Sequence, residues 1–162
     1  MSVKLQGITL ADKPILVSLF QLYLYEMSKS VGLEVADNGK FDYDPEIINA
    51  YFNRPEHHPY FILHNNRLAG FALVRRYPHD TRLIDMGQFF VLRAHMRQGV
   101  GRAAFDLCVR AHAGQWQVRV LPENVPAQTF WKSAVSELTG GTYAHETSSY
   151  QGKDMIFITF AC

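Results

Sequence analysis

The stretch that most constrains this chain is FFVLRAHMRQGVGRAAFDLCV, residues 89–109. It opens as a bulky apolar run and crosses a basic turn that holds Gly99 and Gly101. Apolar residues then recur at Val100, Ala103, Ala104, Leu107 and Ala111, the spacing of one helix face. WQVRVL follows as another strand. A strand, a helix and a strand in succession form a crossover, and the rest of the chain must fit around that unit.

Before it, VKLQGIT reads as a short first strand. From Pro14 the apolar positions Leu16, Leu19, Phe20, Tyr23 and Met27 predict a helix, with Thr9 and Asp12 as candidate caps. VGLEVADNGKFDYD is turn-rich and reads as a loop, and Asp44 before Pro45 starts a short helix through EIINAYF. YFILHNNRLAGFALVRR is a hairpin turning on Asn65-Asn66, residues that tolerate left-handed backbone. TRLIDMGQFFVL supplies the strand that leads into the glycine turn. Pro126 opens a helix through AQTFWKSAVSEL that Gly140-Gly141 closes, and two strands around Gly152 finish the chain. The order β-α-α-β-β-β-α-β-α-β-β predicts one mixed α/β domain over residues 1–162.

A chain of 162 residues that is 48% hydrophobic and 19% charged buries a sizeable core. Its net charge of +1 gives no general attraction to nucleic acid or to an anionic membrane. Cys108 and Cys162 are too few for a disulfide framework or a four-cysteine metal site. The seven histidines show no metal-ligand spacing, so no metal is expected. MSVKLQGITLADK lacks the apolar segment of a signal peptide, which makes the cytoplasm the expected location. Cys108 reads as packing, and Trp116 as packing at a strand start.

The glycine turn stands where a strand gives way to a helix. The first amides of a helix have no internal acceptor, the helix dipole favours negative charge there, and glycine lets an anion approach. Arg97 and Arg102 add charge at the rim, and Arg93 is a further candidate. The turn lacks the third glycine of a dinucleotide fingerprint and the Gly-Lys-Ser/Thr ending of a triphosphate loop. On spacing alone, an anion seat and a tightly packed helix start fit the residues equally.

Residues 89–109 resemble the central motif of the GNAT superfamily of N-acetyltransferases, a Gln or Arg followed by two variable residues, Gly, one variable residue, and Gly or Ala. Gly99, Val100 and Gly101 stand at its Gly-x-Gly, with Arg97, Gln98 and Arg102 around it; the leading Gln/Arg position falls on Met96, a departure. NVPAQTFWK resembles the family's later motif, placing Asn124, Ala127, Phe130 and Trp131 beside the pantetheine arm. VRRYPHDTRLIDMGQFFVLRAHMRQGVGR and FWKSAVSELTGGTY also resemble a bacterial branch of predicted acetyltransferases. The resemblance covers essentially the whole chain. It implies a mixed, mostly antiparallel sheet flanked by helices, with splayed central strands.

It also implies acetyl-CoA as cosubstrate, its pyrophosphate on the amides of the glycine turn and its arm along the main chain near Phe90, Val91 and Leu92. The reaction implied is direct attack by a primary amine, of a small molecule or peptide, on the thioester in a ternary complex. A strand carboxylate serves as base in several members, which points to Asp85, with an outward surface role as its alternative. Glu26 and Glu123 are further candidates, and Gln88 cannot act as a base. The family tyrosine that protonates the thiolate is replaced by Trp131, whose indole supplies no proton at neutral pH, leaving Tyr143 or Tyr150 as substitutes. Tyr25 and Glu26 lie where the family walls its acceptor pocket. An acyl-CoA-binding sensor or partner domain, or an acyltransferase with another donor or acceptor, are the competing readings. The apolar DMIFITF permits a homodimer through the closing strands.

Overall fold

The computed structural model describes residues 1–162. In chain order it forms β1 (Val3–Gly7), α1 (Lys13–Met27), α2 (Glu46–Asn53), β2 (His57–His64), β3 (Arg67–Arg76) and β4 (Leu83–Val91). It continues with α3 (Val100–Ala111), β5 (Gln115–Val120), α4 (Val125–Thr139), β6 (Ala144–Tyr150) and β7 (Lys153–Ala161). This is the order read from the sequence. The strands make one seven-stranded sheet, β1-β2-β3-β4-β5-β7-β6, antiparallel throughout except where β4 meets β5.

The local signals explain most boundaries. Asn65 and Asn66 take φ of 51° and 63°, the left-handed pair of a two-residue hairpin turn. Gly140, at φ 64°, ends α4 in the left-handed conformation usual after a helix. The Asp44 carboxylate accepts from the Glu46 amide at 3.0 Å, holding the start of α2. The expected cap of α1 differs: neither Thr9 nor Asp12 bonds an amide through its side chain. A single 3₁₀ turn, Leu10–Asp12, precedes α1, and the Thr9 carbonyl takes the Asp12 amide at 3.0 Å, so backbone acceptors replace a side-chain cap.

The sheet separates two cores. One face packs on α3 and α4 through Val100, Phe105, Cys108, Trp116, Trp131 and Ile158. The other packs on α1 and α2 through Leu16, Phe20, Ile48, Phe71, Leu73 and Phe90. Strand alternation assigns each central residue to one face. The β3–β4 register skips Gly87, since Val74 faces Met86 and Leu73 faces Gln88. The bulge shifts the parity of β4, so Ile84 and Met86 before it share the α3/α4 face with Phe89 and Val91 after it.

DMIFITF lies in β7, between β5 and β6 and therefore inside the sheet. The edge strand is β6, with its polar residues exposed. A dimer through the closing strands would have to pair along that polar edge, not along the apolar run.

Gly70 marks a close approach of β3 to β4. A Cβ there would overlap the carbonyl oxygen of Phe90. Because that contact is backbone, no side-chain rotation can relieve it. Gly70→Ala should therefore lower the unfolding free energy by about 1–3 kcal/mol, read as a reduced urea midpoint with an unchanged slope.

Candidate active site

β4 and β5 run parallel through only three pairs, Leu83 with Gln115, Ile84 with Trp116 and Asp85 with Gln117, and then part. Beyond Asp85, β4 is paired with β3 alone. The Leu92 amide donates to the Ala69 carbonyl on β3 at 2.7 Å, and amide direction alternates along a strand. Phe90 therefore turns its main chain toward β3, as its approach to Gly70 also requires, while Phe89 and Val91 turn theirs into the gap. The sequence placed the available main chain around Phe90, Val91 and Leu92; the structure leaves Val91 of these three and adds Phe89.

The open edge leads directly into the glycine turn. Arg97 and Gly99 have φ of 59° and 76°, left-handed positions that fold the loop back so its amides converge. The amides of Arg97, Gln98, Gly99, Val100, Gly101 and Arg102 reach no acceptor in the protein, and the first bond into α3 is Ala103 N–H to Gly99 O at 3.0 Å. That row of orphan donors at the start of a 12-residue helix has the chemistry of an anion cradle.

Side chains settle which neighbours contribute. The exposed Arg97 guanidinium makes no ion pair. Gln98 ties its amide group back to the Ala94 carbonyl at 3.0 Å. Val100 puts its side chain in the core and only its main chain at the turn. Arg102, expected at the rim, is engaged instead by Glu137 and Ser133 of α4, because its place in the first turn of α3 faces that helix. Gly101 packs its Cα toward the Phe130 ring, with an added Cβ at 3.3 Å from it.

On α4, Asn124 caps the helix by accepting from the Ala127 amide at 3.2 Å, which leaves its NH₂ unassigned. Ala127 and Phe130 are half-buried beside the gap, Phe130 stacking on Phe89 at 6.1 Å. Trp131 is buried among Phe89, Phe105 and Phe130. Tyr143 packs against this same core.

Asp85 closes the vertex of the gap on the other face. It is 0% exposed, which overturns the outward-facing alternative. Its carboxylate accepts from Arg75 Nε at 2.9 Å, from Arg119 Nε and Nη2 at 3.0 Å each, and from Gln117 at 3.2 Å. Four donors occupy the directions a base would need free. Burial disfavours the charged form of Arg119, but the Asp85 charge and bonds outweigh it and raise the pKa above the usual arginine value. Arg75, Gln117 and Arg119 were missed in the sequence. The available signal was the alternation of WQVRVL, which places Gln117 and Arg119 together on one face of an interior strand.

Glu26 lies on α1, in a groove of about 280 Å³ formed with Leu22, Tyr25, Phe90, Leu92 and Arg93. Arg93 holds its carboxylate at 2.6 Å, so Arg93 serves α1 and not the turn. Gln88 is half-buried on β4, and Glu123 is exposed in the loop before α4. Burial pushes the Cys108 thiol up to about 12, as its packing role requires.

Comparison with known proteins gives a consistent result. The sequence model of the acetyltransferase (GNAT) family matches residues 20–134. The fold is similar to an acetyltransferase from Thermus thermophilus, with TM-score 0.74 and 14% identity over 100% of this chain and 98% of that one. It is similar to spermidine N-acetyltransferase from Vibrio cholerae in complex with CoA and spermine (TM-score 0.68, 11% identity, 98% and 95% covered). The ribosomal-protein-S18-alanine N-acetyltransferase from Escherichia coli gives TM-score 0.60 at 14% identity over 99% and 94%. No curated protein sequence matches the chain.

Two outcomes follow from the vertex and the core. Asp85→Ala leaves two guanidinium groups facing each other, and should destabilise the fold by about 3–5 kcal/mol in urea denaturation. Iodoacetamide at pH 8 should modify the exposed Cys162 and spare Cys108 until the protein unfolds, read by mass spectrometry of the native and denatured protein.

Proposed function

Because the chain belongs to the GNAT family of acetyltransferases, we propose that it transfers the acetyl group of acetyl-CoA to a primary amine in a direct ternary complex. The observation that carries this reading is the continuity of the open β4 edge with the orphan amides from Arg97 to Arg102. A pantetheine arm has amides to pair with Phe89 and Val91, and a pyrophosphate has the anion-binding row it needs. Arg97 adds a free positive charge at the same turn.

The attacking nitrogen forms its bond to the acetyl carbonyl carbon as the carbon–sulfur bond breaks, and the electron pair leaves on sulfur. The nitrogen must lose a proton. Glu26 is our candidate acceptor: Arg93 pairs with both its oxygens on one side, but the side chain stays 27% exposed at the groove beside Phe90, where water can act as the relay. Asp85 is assigned instead to positioning, since its oxygens are filled by arginine and glutamine. Trp131 packs where a proton donor is usual in the family, and thiolates leave readily without one; Tyr143, packed on the same core as Trp131, and Tyr150, over Arg119, are the hydroxyl candidates.

Calorimetry with acetyl-CoA and a CoA-release assay across an amine panel test the reading. Absence of CoA binding sinks it. Tight binding with no release from any amine replaces transfer by an acyl-CoA-binding role. Gly101→Val drives a branched side chain into the Phe130 ring and displaces the first turn of α3. Losing one or two charge-assisted bonds there should weaken CoA by about tenfold or more, while an unchanged affinity rejects the cradle.

A further inference from the structure

We propose that the acceptor is an amine that also carries a carboxylate, held by Arg119 and Arg75 at the vertex between β4 and β5. This rests on the transferase reading above and names the substrate class for it.

Arg119 lies two residues beyond the last β4–β5 pair, on the face of the sheet that carries Asp85 and the α1/α2 core. Its Nε and Nη2 grip Asp85, and Nη2 also spans the gap to the Gly87 carbonyl at 3.5 Å. Tyr77 and Tyr150 lie over the guanidinium at 5.7 and 5.0 Å, which fixes its plane. Nη1 bonds to no protein atom. Arg75 spends only its Nε on Asp85, leaving both terminal nitrogens without a partner. The side chains remain 10% and 21% exposed, and none of their unpartnered nitrogens is shut away from solvent.

The charges do not cancel. Two guanidinium groups face one carboxylate at the vertex, leaving one positive charge. Burial holds the Tyr23, Tyr51 and Tyr77 hydroxyls above their usual pKa, so these neighbours stay neutral. Among other carboxylates on this face, Glu26 is taken by Arg93. Glu146, aligned with Arg119 through Phe157, stands two strands away, roughly 10 Å at the usual strand spacing. The free terminal pair of Arg75 and the free Nη1 of Arg119, with surplus positive charge, suit a carboxylate and repel a polycation.

Position limits the size of the ligand. The Arg119 edge lies beside Gly87, and the gap-facing amide of Phe89 is two residues further, about 7 Å along the strand. Carboxylate and amine are therefore separated by a short chain, as in a free amino acid.

Calorimetric titration of the CoA-saturated protein with matched pairs that differ only by the carboxylate tests this. The pairs are L-phenylalanine with phenethylamine, L-leucine with isoamylamine, and β-alanine with ethylamine. In at least one pair the acid should bind about tenfold or more tightly. R119K, which keeps the charge and loses the planar fork, and R75Q should each reduce that preference, with CoA affinity near wild type and each variant verified as folded by circular dichroism at the titration temperature, since either change also weakens the Asp85 cluster. No preference in any pair of the wild-type protein overturns the proposal, without recourse to a variant. So does a preference that R119K and R75Q leave unchanged. If CoA binds and amines lacking a carboxylate are acetylated as well as their acids, the transferase reading stands and this assignment falls. Failure to bind CoA overturns both.

Discussion

Beyond Asp85 and Gln117 the two central strands share no pairing, although both continue for several residues. An interior strand edge left open is unfavourable unless water or a ligand meets its amides. The bulge at Gly87 shifts β4 just past the last pair, and Arg119 reaches across the widening gap instead of a backbone bond. The groups assigned in the proposed function lie around that opening. Phe89 and Val91 offer main chain on one side, the glycine turn lies at its upper end, and the arginine cluster lies at its base.

The two faces of the sheet divide the labour. On the α3/α4 face, the gap is walled by Phe89, Ala127 and Phe130, apolar surface suited to an extended arm. On the α1/α2 face, the vertex is polar and ionic. A buried carboxylate with two guanidinium groups contributes little net stability, because desolvation consumes most of the attraction. Its effect is geometric: three bonds to Asp85 hold Arg75 and Arg119 in one orientation while leaving other N–H groups free, and Gln117 adds a fourth donor to the carboxylate. A pair built for strength alone would match charge for charge.

The element order was legible because its signals are local. Helix spacing, Asn65-Asn66, Pro126 and Gly140 each act through nearby backbone, and the structure follows them. The Gly99 turn was legible as a strand-to-helix junction, but spacing alone left its anion role open, since orphan amides are visible only once the loop is folded. Long-range partners were not legible. Nothing near Arg102 indicates that Glu137 and Ser133 of α4 will engage it, and nothing near Asp85 indicates Arg75 from β3 and Arg119 from β5. The parity of β4 was obscured for the same reason, because one bulged residue changes which of Phe89 and Phe90 faces the gap.

The two departures from the family pattern have different physical weight. Met96 is 42% exposed, and its amide is already bonded to the Arg93 carbonyl at 3.2 Å. The orphan amides begin one residue later, at Arg97, so the changed letter lies outside the row that faces an anion. Trp131 is different, because it stands where the family resemblance implies a tyrosine, and the packing of Phe89, Phe105 and Phe130 holds its indole in place. An indole can donate a hydrogen bond but cannot lose its proton near neutral pH. In the proposed reaction a thiolate departing beside it would be solvated but not protonated. The row of orphan amides is therefore untouched by the first departure, whereas the second bears on how sulfur would leave in the proposed reaction.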